Sequence, residues 1–524
     1  MMRVTRFTFD WQIVPFALSA LCGLALAYNQ PTATIRFTLI MLGVALYLFC
    51  ANARAPHPRS LLRALLIVLP VLITLYFMLT NDWAKSSNKL PLLSALPALI
   101  GGAPQFNPNV VGGSLAMLLP LQFKALEPHR RAIRLGLIAL TLIGLALSLT
   151  RGAWLALIFV GGLWGAWRFL NQRSANQRTA RIAWLTGVLI IAVAGGLLLI
   201  ATPLGDRLLG LGGDRTNIWR NSVALIGDYP LSGFGLGSFE MAYSSYALLT
   251  HVGHTLHAHN LGFNVWLEQG LLGLVALIGL VINAVWPRRP ASEWRMAALA
   301  ALGILLIHTL VDDPFYGYGG PLISLVLVPL GVLQRPADSP GATSKRVQPA
   351  LALWVAAAIG LAIIVSTPRG RAVIEANLGA IAQTRAELSV YHWPEVSLQD
   401  VLRETGGVEL GSAIEHYQAA LALDPGAVTA NRRLGQIELA RGQLDAACDH
   451  LERANAVDQR ATHQLLGECY ALRGEVDRAV ELWRTIDLSQ GQLVARDWWY
   501  ATHLASPAQA QALRQAAAAL AVEP

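Results

Sequence analysis

The chain has 524 residues, 54% hydrophobic and 14% charged, with a mean hydropathy of +0.46, which excludes an ordinary soluble domain. A net charge of +8 and a pI near 9.5 would suit a nucleic-acid binder, but the surplus lies in short loops between apolar runs while residues 368–524 lean acidic. That distribution excludes nucleic acid as a partner.

Apolar runs long enough to cross a bilayer occur near residues 11–28, 34–50, 60–80, 132–149, 152–170, 182–203, 261–286, 294–311, 320–335 and 349–367, with a weaker run at 110–123. No small-residue cleavage pattern follows the first run, so it is read as a retained helix. Loop charges test the count. Arg3 and Arg6, Arg54, Arg59 and Arg63, Lys124 to Arg134, Arg168 to Arg181, Arg288 to Arg295, and Arg335 to Arg346 all fall in alternate segments. That gives about nineteen basic residues against about four on the other side, so the first set is predicted to be cytoplasmic. Alternation requires 110–123 to cross as well. The expectation is an all-α polytopic protein of about eleven transmembrane helices, with its N-terminus in the cytoplasm and its C-terminus outside.

Three parts follow: a membrane body over 1–367, a large outer loop within it at 204–259, and an extracytoplasmic helical domain over 368–524. The last part contains a repeat. Gly435, Gly442, Asp445 and Ala447 in LGQIELARGQLDAACDHL recur as Gly467, Gly474, Asp477 and Ala479 in LGECYALRGEVDRAVELW. Arg-Gly pairs mark helix ends and small residues allow close packing, so the segment is similar to tetratricopeptide helical hairpins. Such a stack could bind an acceptor or partner protein, or act as a spacer. Cys22, Cys50, Cys448 and Cys469 lack metal-ligand spacing and read as small buried thiols.

Polar residues gathered at one membrane face are the candidates for chemistry. Arg151 lies between two apolar runs in LSLTRGAWLAL, and its guanidinium needs an anion, carbonyls or interfacial water. Arg215, Trp219 and Arg220 fit an interfacial helix in the outer loop. Gly233, Gly235 and Gly237 follow; without a βαβ context this GxGxG is a tight turn, not a nucleotide fingerprint. The loop ends in His251, His254, His257 and His259. No cysteine and no HExxH order accompanies them, so no metal is expected, and a general base near neutral pH fits better. Asp312 and Asp313 add carboxylates at the same level, where turn capping or pairing with arginine is expected.

These segments resemble the bacterial O-antigen ligase and polymerase superfamily, which includes pilin and protein O-oligosaccharyltransferases. The resemblance rests on FNPNVVGGSLAMLLPL at 106–121, LTRGAW at 149–154, DRTNIWRNSVALIGDYPLSGFGLGSF at 214–239, and HAHNLGFNVWLEQGLLGL at 257–274. It implies a C-type membrane glycosyltransferase fold and a metal-independent, cofactor-free enzyme in the bacterial inner membrane. The implied donor is a glycan on undecaprenyl diphosphate, and the acceptor a lipid, a glycan or a protein. Arg151 and Arg215 would stabilise the departing diphosphate. His259, or else His257, would deprotonate the acceptor for an inverting attack, and Asn260 would orient or cap. Arg220, Trp219 and Asp313 are candidates for donor or acceptor contact. A polysaccharide polymerase, a protein O-oligosaccharyltransferase, a lipid-linked glycan transporter and an envelope scaffold are the competing readings. One-sided clustering of polar groups argues against a transporter, whose site would lie near the midplane.

Overall fold

A computed structural model describes residues 10–53, 55–86, 98–171, 213–286, 292–313, 315–317, 320–335, 350–392, 397–455, 459–486, 488 and 490–521. The architecture is all-α. Among the described residues the strands are one antiparallel pair of two-residue segments, β1 (Thr250–His251) and β2 (Ser397–Leu398). The predicted span at 182–203, the start of the outer loop at 204–212 and the cytoplasmic loop at 336–346 lie outside the described residues.

The expectation of eleven crossings is corrected. Three helices are by themselves long and apolar enough to span: α2 (Gln30–Asn52), α3 (Pro56–Thr80) and α9 (Leu261–Val285). These apolar helices support an integral membrane protein. The other runs fall short for local reasons. Helix α1 (Ile13–Leu26) ends where Ala27 turns extended. The run at 320–335 breaks into a 3-10 turn, Pro321–Leu325, and a short helix α11 (Val328–Gln334), because Pro321 and Pro329 remove donors from its ladder. Residues 349–367 form a 16-residue helix, α12 (Leu351–Ser366), which bends by 93° into the following helix, Pro368–Ser389. Thr367 caps that second helix, accepting from the Gly370 amide at 3.1 Å.

The weak run at 110–123 becomes the centre of the bundle. Helix α4 (Pro108–Ala125) packs against α3, α5 (Arg131–Leu147), α6 (Arg151–Asn171) and α10 (Arg295–Val311). Its low hydropathy has a packing cause: Gly112, Gly113 and Ser114 face neighbouring helices instead of lipid. A Cβ on Gly112 would lie 2.4 Å from Thr150 Oγ1.

The bundle has two chemically different ends. At one, Arg59 donates to Glu293 at 2.6 Å, with Arg63 and Lys124 within 4.0 Å of the same carboxylate. At the other, α4 and α6 begin and α10 ends. A 17-residue helix is about 25 Å long, so these ends lie on opposite sides of the bundle.

The loop predicted at 204–259 contributes α7 (Gly213–Asp228), α8 (Phe239–Ala247) and β1. Beyond Ser366 come α13 (Pro368–Ser389), α14 (Gln399–Glu404), α15 (Gly411–Leu423) and two helical hairpins. The hairpins are α16 (Val428–Ala440) with α17 (Leu444–Ala454), and α18 (Arg460–Leu472) with α19 (Val476–Arg484). They coincide with the repeated segments, and Gly442 (φ 74°) and Gly474 (φ 82°) supply the left-handed residues that end their first helices. Cys448 and Cys469 are buried free thiols, as is Cys50, whereas Cys22 is exposed on the surface of the bundle.

Candidate active site

Two predicted histidines and an aspartate meet at the end of the bundle opposite Glu293. His259 Nδ1 hydrogen-bonds Asp312 Oδ1 at 2.9 Å. Among the described residues nothing bonds His259 Nε2, and the side chain is 21% exposed. The other oxygen of Asp312 accepts from Asn109 Nδ2 at 2.8 Å and faces Arg215 Nη2 at 3.8 Å. Burial opposes charge on Asp312, but the hydrogen bond from His259 and nearby cations outweigh it and hold the carboxyl below its ordinary range. Asp312 is therefore an anion that fixes which imidazole nitrogen faces outward.

His257 plays a different part. Its Nδ1 accepts the His259 amide at 3.1 Å, its ring centroid is 4.1 Å from that of His259, and it is 2% exposed. Burial, then the neighbouring His259, pushes it down to about 3. His259 itself adopts φ 52°, a left-handed conformation that side chains avoid. Asn260 then caps α9, accepting from the Phe263 amide at 3.2 Å, while its own amide donates to Leu310 O at 3.4 Å.

Asp313 faces its own turn. It accepts from the amides of Phe315 and Tyr316 at 3.3 and 3.0 Å and from Asn264 Nδ2 at 2.5 Å, and burial pushes it up to about 6. Its neighbour Asp312 is the carboxylate that meets the histidine.

Arg151 is exposed at the first residue of α6, after Leu149 at φ 53°. Thr150 Oγ1 donates to Pro108 O at 3.0 Å, and Asn109 is the residue that bonds Asp312. The start of α4 thus ties Arg151 to the rim that holds Asp312. Trp219 and Arg220 share α7 with Arg215, but no described hydrogen bond or ion pair joins them to the histidine group; the buried Trp219 Nε1 has no partner among the described residues.

A support missed by the sequence reading lies beneath the site. Arg36, in the middle of α2, donates to both oxygens of Glu268 on α9 at 2.6 and 2.7 Å and to Gly317 O at 3.2 Å. It thereby pins the turn that packs on His257. The signal was available: single charges inside the apolar runs TATIRFTLIML and VWLEQGLLGL are costly unless paired. His308, one turn before Asp312, is buried with neither ring nitrogen bonded to a described residue.

His257, His259 and Asp312 offer ligand atoms within 4.8 Å of one another, a spacing that could hold a cation. Each ring already uses one nitrogen, so a metal would compete with the His259–Asp312 bond or rely on the remaining nitrogens.

Residues 136–278 match the O-antigen ligase family. The matched stretch runs from α5 into α9 and contains Arg151, Arg215, Trp219, Arg220, His257, His259 and Asn260; Arg36, Asp312 and Asp313 lie beyond it. The match and the apolar helices support an integral membrane enzyme of O-antigen ligase or polymerase type, acting on lipid-linked glycan and acceptor substrates. No curated protein and no solved structure matches the chain.

Proposed function

We propose that the protein is an inverting, metal-independent glycosyltransferase that moves a glycan from undecaprenyl diphosphate to an acceptor hydroxyl at the outer face of the inner membrane. The observation that carries this reading is the His259–Asp312–Arg215 group: an imidazole anchored by a carboxylate through Nδ1, with Nε2 unbonded by any described residue and a guanidinium alongside. In the transfer, the acceptor oxygen forms a bond to the anomeric carbon while the bond from that carbon to the diphosphate oxygen breaks. His259 Nε2 takes the hydroxyl proton, and Asp312 stabilises the imidazolium. Arg215 and Arg151 offer forked donors to the negative charge that collects on the leaving diphosphate.

His259 is a better base than His257. A nitrogen pushed down to about 3 has little proton affinity at neutral pH, and the His257 ring is enclosed and bonded to the neighbouring backbone. The basic end at Arg59, Arg63 and Lys124 supports a cytoplasmic location for that end, and with it an outer location for the histidine end.

Reconstitution of the purified protein with a diphosphate-linked glycan tests the reading. The expected result is a new glycoconjugate and free undecaprenyl diphosphate, loss of at least 100-fold in kcat for His259→Ala and Arg215→Ala, and indifference to chelators. Unimpaired transfer by His259→Ala would refute the assignment of the base, and chelator loss restored by zinc would refute metal independence. The superfamily resemblance leaves polymerase and protein transferase as further products of the same chemistry, distinguished by the acceptor that is consumed.

A further inference from the structure

The outer loop that carries Arg215 at one end and the histidines at the other is bonded along its length to the C-terminal helical domain. Asp228, the last residue of α7, is 1% exposed. It accepts from Thr429 at 2.9 Å, from Arg433 at 3.0 and 3.1 Å, and from Arg432. Arg433 also donates to the Tyr229 hydroxyl at 2.7 Å, and Asn377 accepts from the amides of Leu231 and Ser232 at 3.2 and 3.3 Å. Farther along the loop, Arg460 donates to Ala247 O at 3.2 Å, and β1 pairs with β2. Leu249, in the left-handed region at φ 53°, is buried in the same apolar core as Leu451, Leu465 and Trp483 of the hairpins.

A domain serving only as a cap or spacer would need none of these buried charges. Arg432 and Arg433 are both largely buried, and the Asp228 carboxylate is the described anion that both of them pair with. Arg215 lies 13 residues from Asp228 on one helix, about 20 Å along a rigid rod fixed at its far end. His257 follows β1 by six residues.

We infer that the helical domain 368–524 is a positioning part of the transfer site: Asp228, held between Arg432 and Arg433, fixes the helix that carries Arg215, while Leu249 and the β1–β2 pair fix the segment that carries His257 and His259. The inference rests on the assignment of those residues in the preceding section.

Full-length protein in lipid nanodiscs tests it, with Asp228→Asn, Leu249→Ala and the milder Asn377→Ala compared by hydrogen exchange and by steady-state transfer. Asp228→Asn is expected to raise exchange in 213–228 and lower kcat by 10-fold or more, with KM for donor and acceptor within about two-fold. Leu249→Ala is expected to raise exchange in 250–260 with the same kinetic signature. If Asp228→Asn fails to fold, Asn377→Ala, which removes only turn bonds, carries the test with a smaller change of the same kind. Exchange that rises only within 368–524, or loosened loop segments with kcat within two-fold of the parent, would overturn the inference. Exchange coupling in a background where His259→Ala leaves transfer intact would instead refute the site assignment, so the two failures are separable.

Discussion

Replacing Asp312 by asparagine changes one atom and should silence the base without unfolding the site. Oδ2 of Asp312 accepts from Asn109 Nδ2 at 2.8 Å and faces the Arg215 guanidinium at 3.8 Å, so the amide oxygen of an asparagine would settle there. The amide NH2 would then face His259 Nδ1, and this nitrogen could only accept. The imidazole proton would move to Nε2, the nitrogen that has to take the acceptor's proton. Beyond the tautomer, the imidazolium formed during transfer would lose a charge-assisted hydrogen bond of about 1.5–3 kcal/mol. At 1.36 kcal/mol per decade, kcat for Asp312→Asn should fall about 10- to 150-fold with KM little changed. Steady-state transfer by purified protein measures this, and a cycle with His259→Ala measures the coupling. An Asp312→Asn enzyme with kcat within two-fold of the parent, or effects of the two substitutions that simply add, would refute the carboxylate's action through the imidazole.

The neutral His257 predicts a pH dependence. Because its folded value lies near 3 and the free side chain titrates near 6.5, its stabilising contribution is complete above about 6.5 and is lost as pH falls towards 3. His257→Asn should therefore resist acid better than the parent between pH 6 and 4, with the difference in unfolding free energy changing by about 1.4 kcal/mol per pH unit; a pH-independent difference would disprove the buried neutral form. Asp313 acts in the opposite sense, since a carboxyl raised to about 6 stabilises fully below about 3.8 and loses that contribution as pH rises through 6. Gly317→Ala tests the packing beneath the site: the added Cβ would lie 2.3 Å from His257 Cγ, so the ring must shift. We expect a loss of about 1–3 kcal/mol in stability together with reduced kcat, and unchanged kinetics would show that the His257 ring position is immaterial.

The all-α class and the helical hairpins at Gly442 and Gly474 were legible because each has a strong local signal. Periodicity marks a helix, and an Arg-Gly pair marks its end. The number of crossings was not legible. Hydropathy registers the sum of apolar residues, whereas the lengths of helices at 320–335 and 349–367 are decided by Pro321, Pro329 and the bend at Pro368. Choosing between Asp312 and Asp313 was likewise beyond reach, because adjacent residues in an irregular turn point in opposite directions, and only the fold decides which one meets His259. The Arg36–Glu268 pair joins positions 232 residues apart, so each half was visible as an isolated charge while the pairing was not. The clamp on Asp228 is hidden for the same reason.

The strain at His259 explains why so much structure surrounds one imidazole. A non-glycine residue at φ 52° costs about 1–3 kcal/mol and persists only where neighbours over-determine it. Here the amide is fixed by His257 Nδ1, the ring by Asp312, and the following residue by its cap on α9. A net gain of about 1 kcal/mol per ordinary hydrogen bond means that these contacts together offset the strain, with little left over if one is lost. His257 is then required for the shape of the backbone at His259, Gly317 for the room that His257 occupies, and Arg36 for the turn that presents Gly317. A base held this way meets the acceptor in one orientation without reorganising, which is the condition under which proximity and general-base catalysis are most effective. It also follows that substitutions far from the imidazole, at Arg36 or Gly317, should act on kcat through geometry and leave the chemical group itself intact.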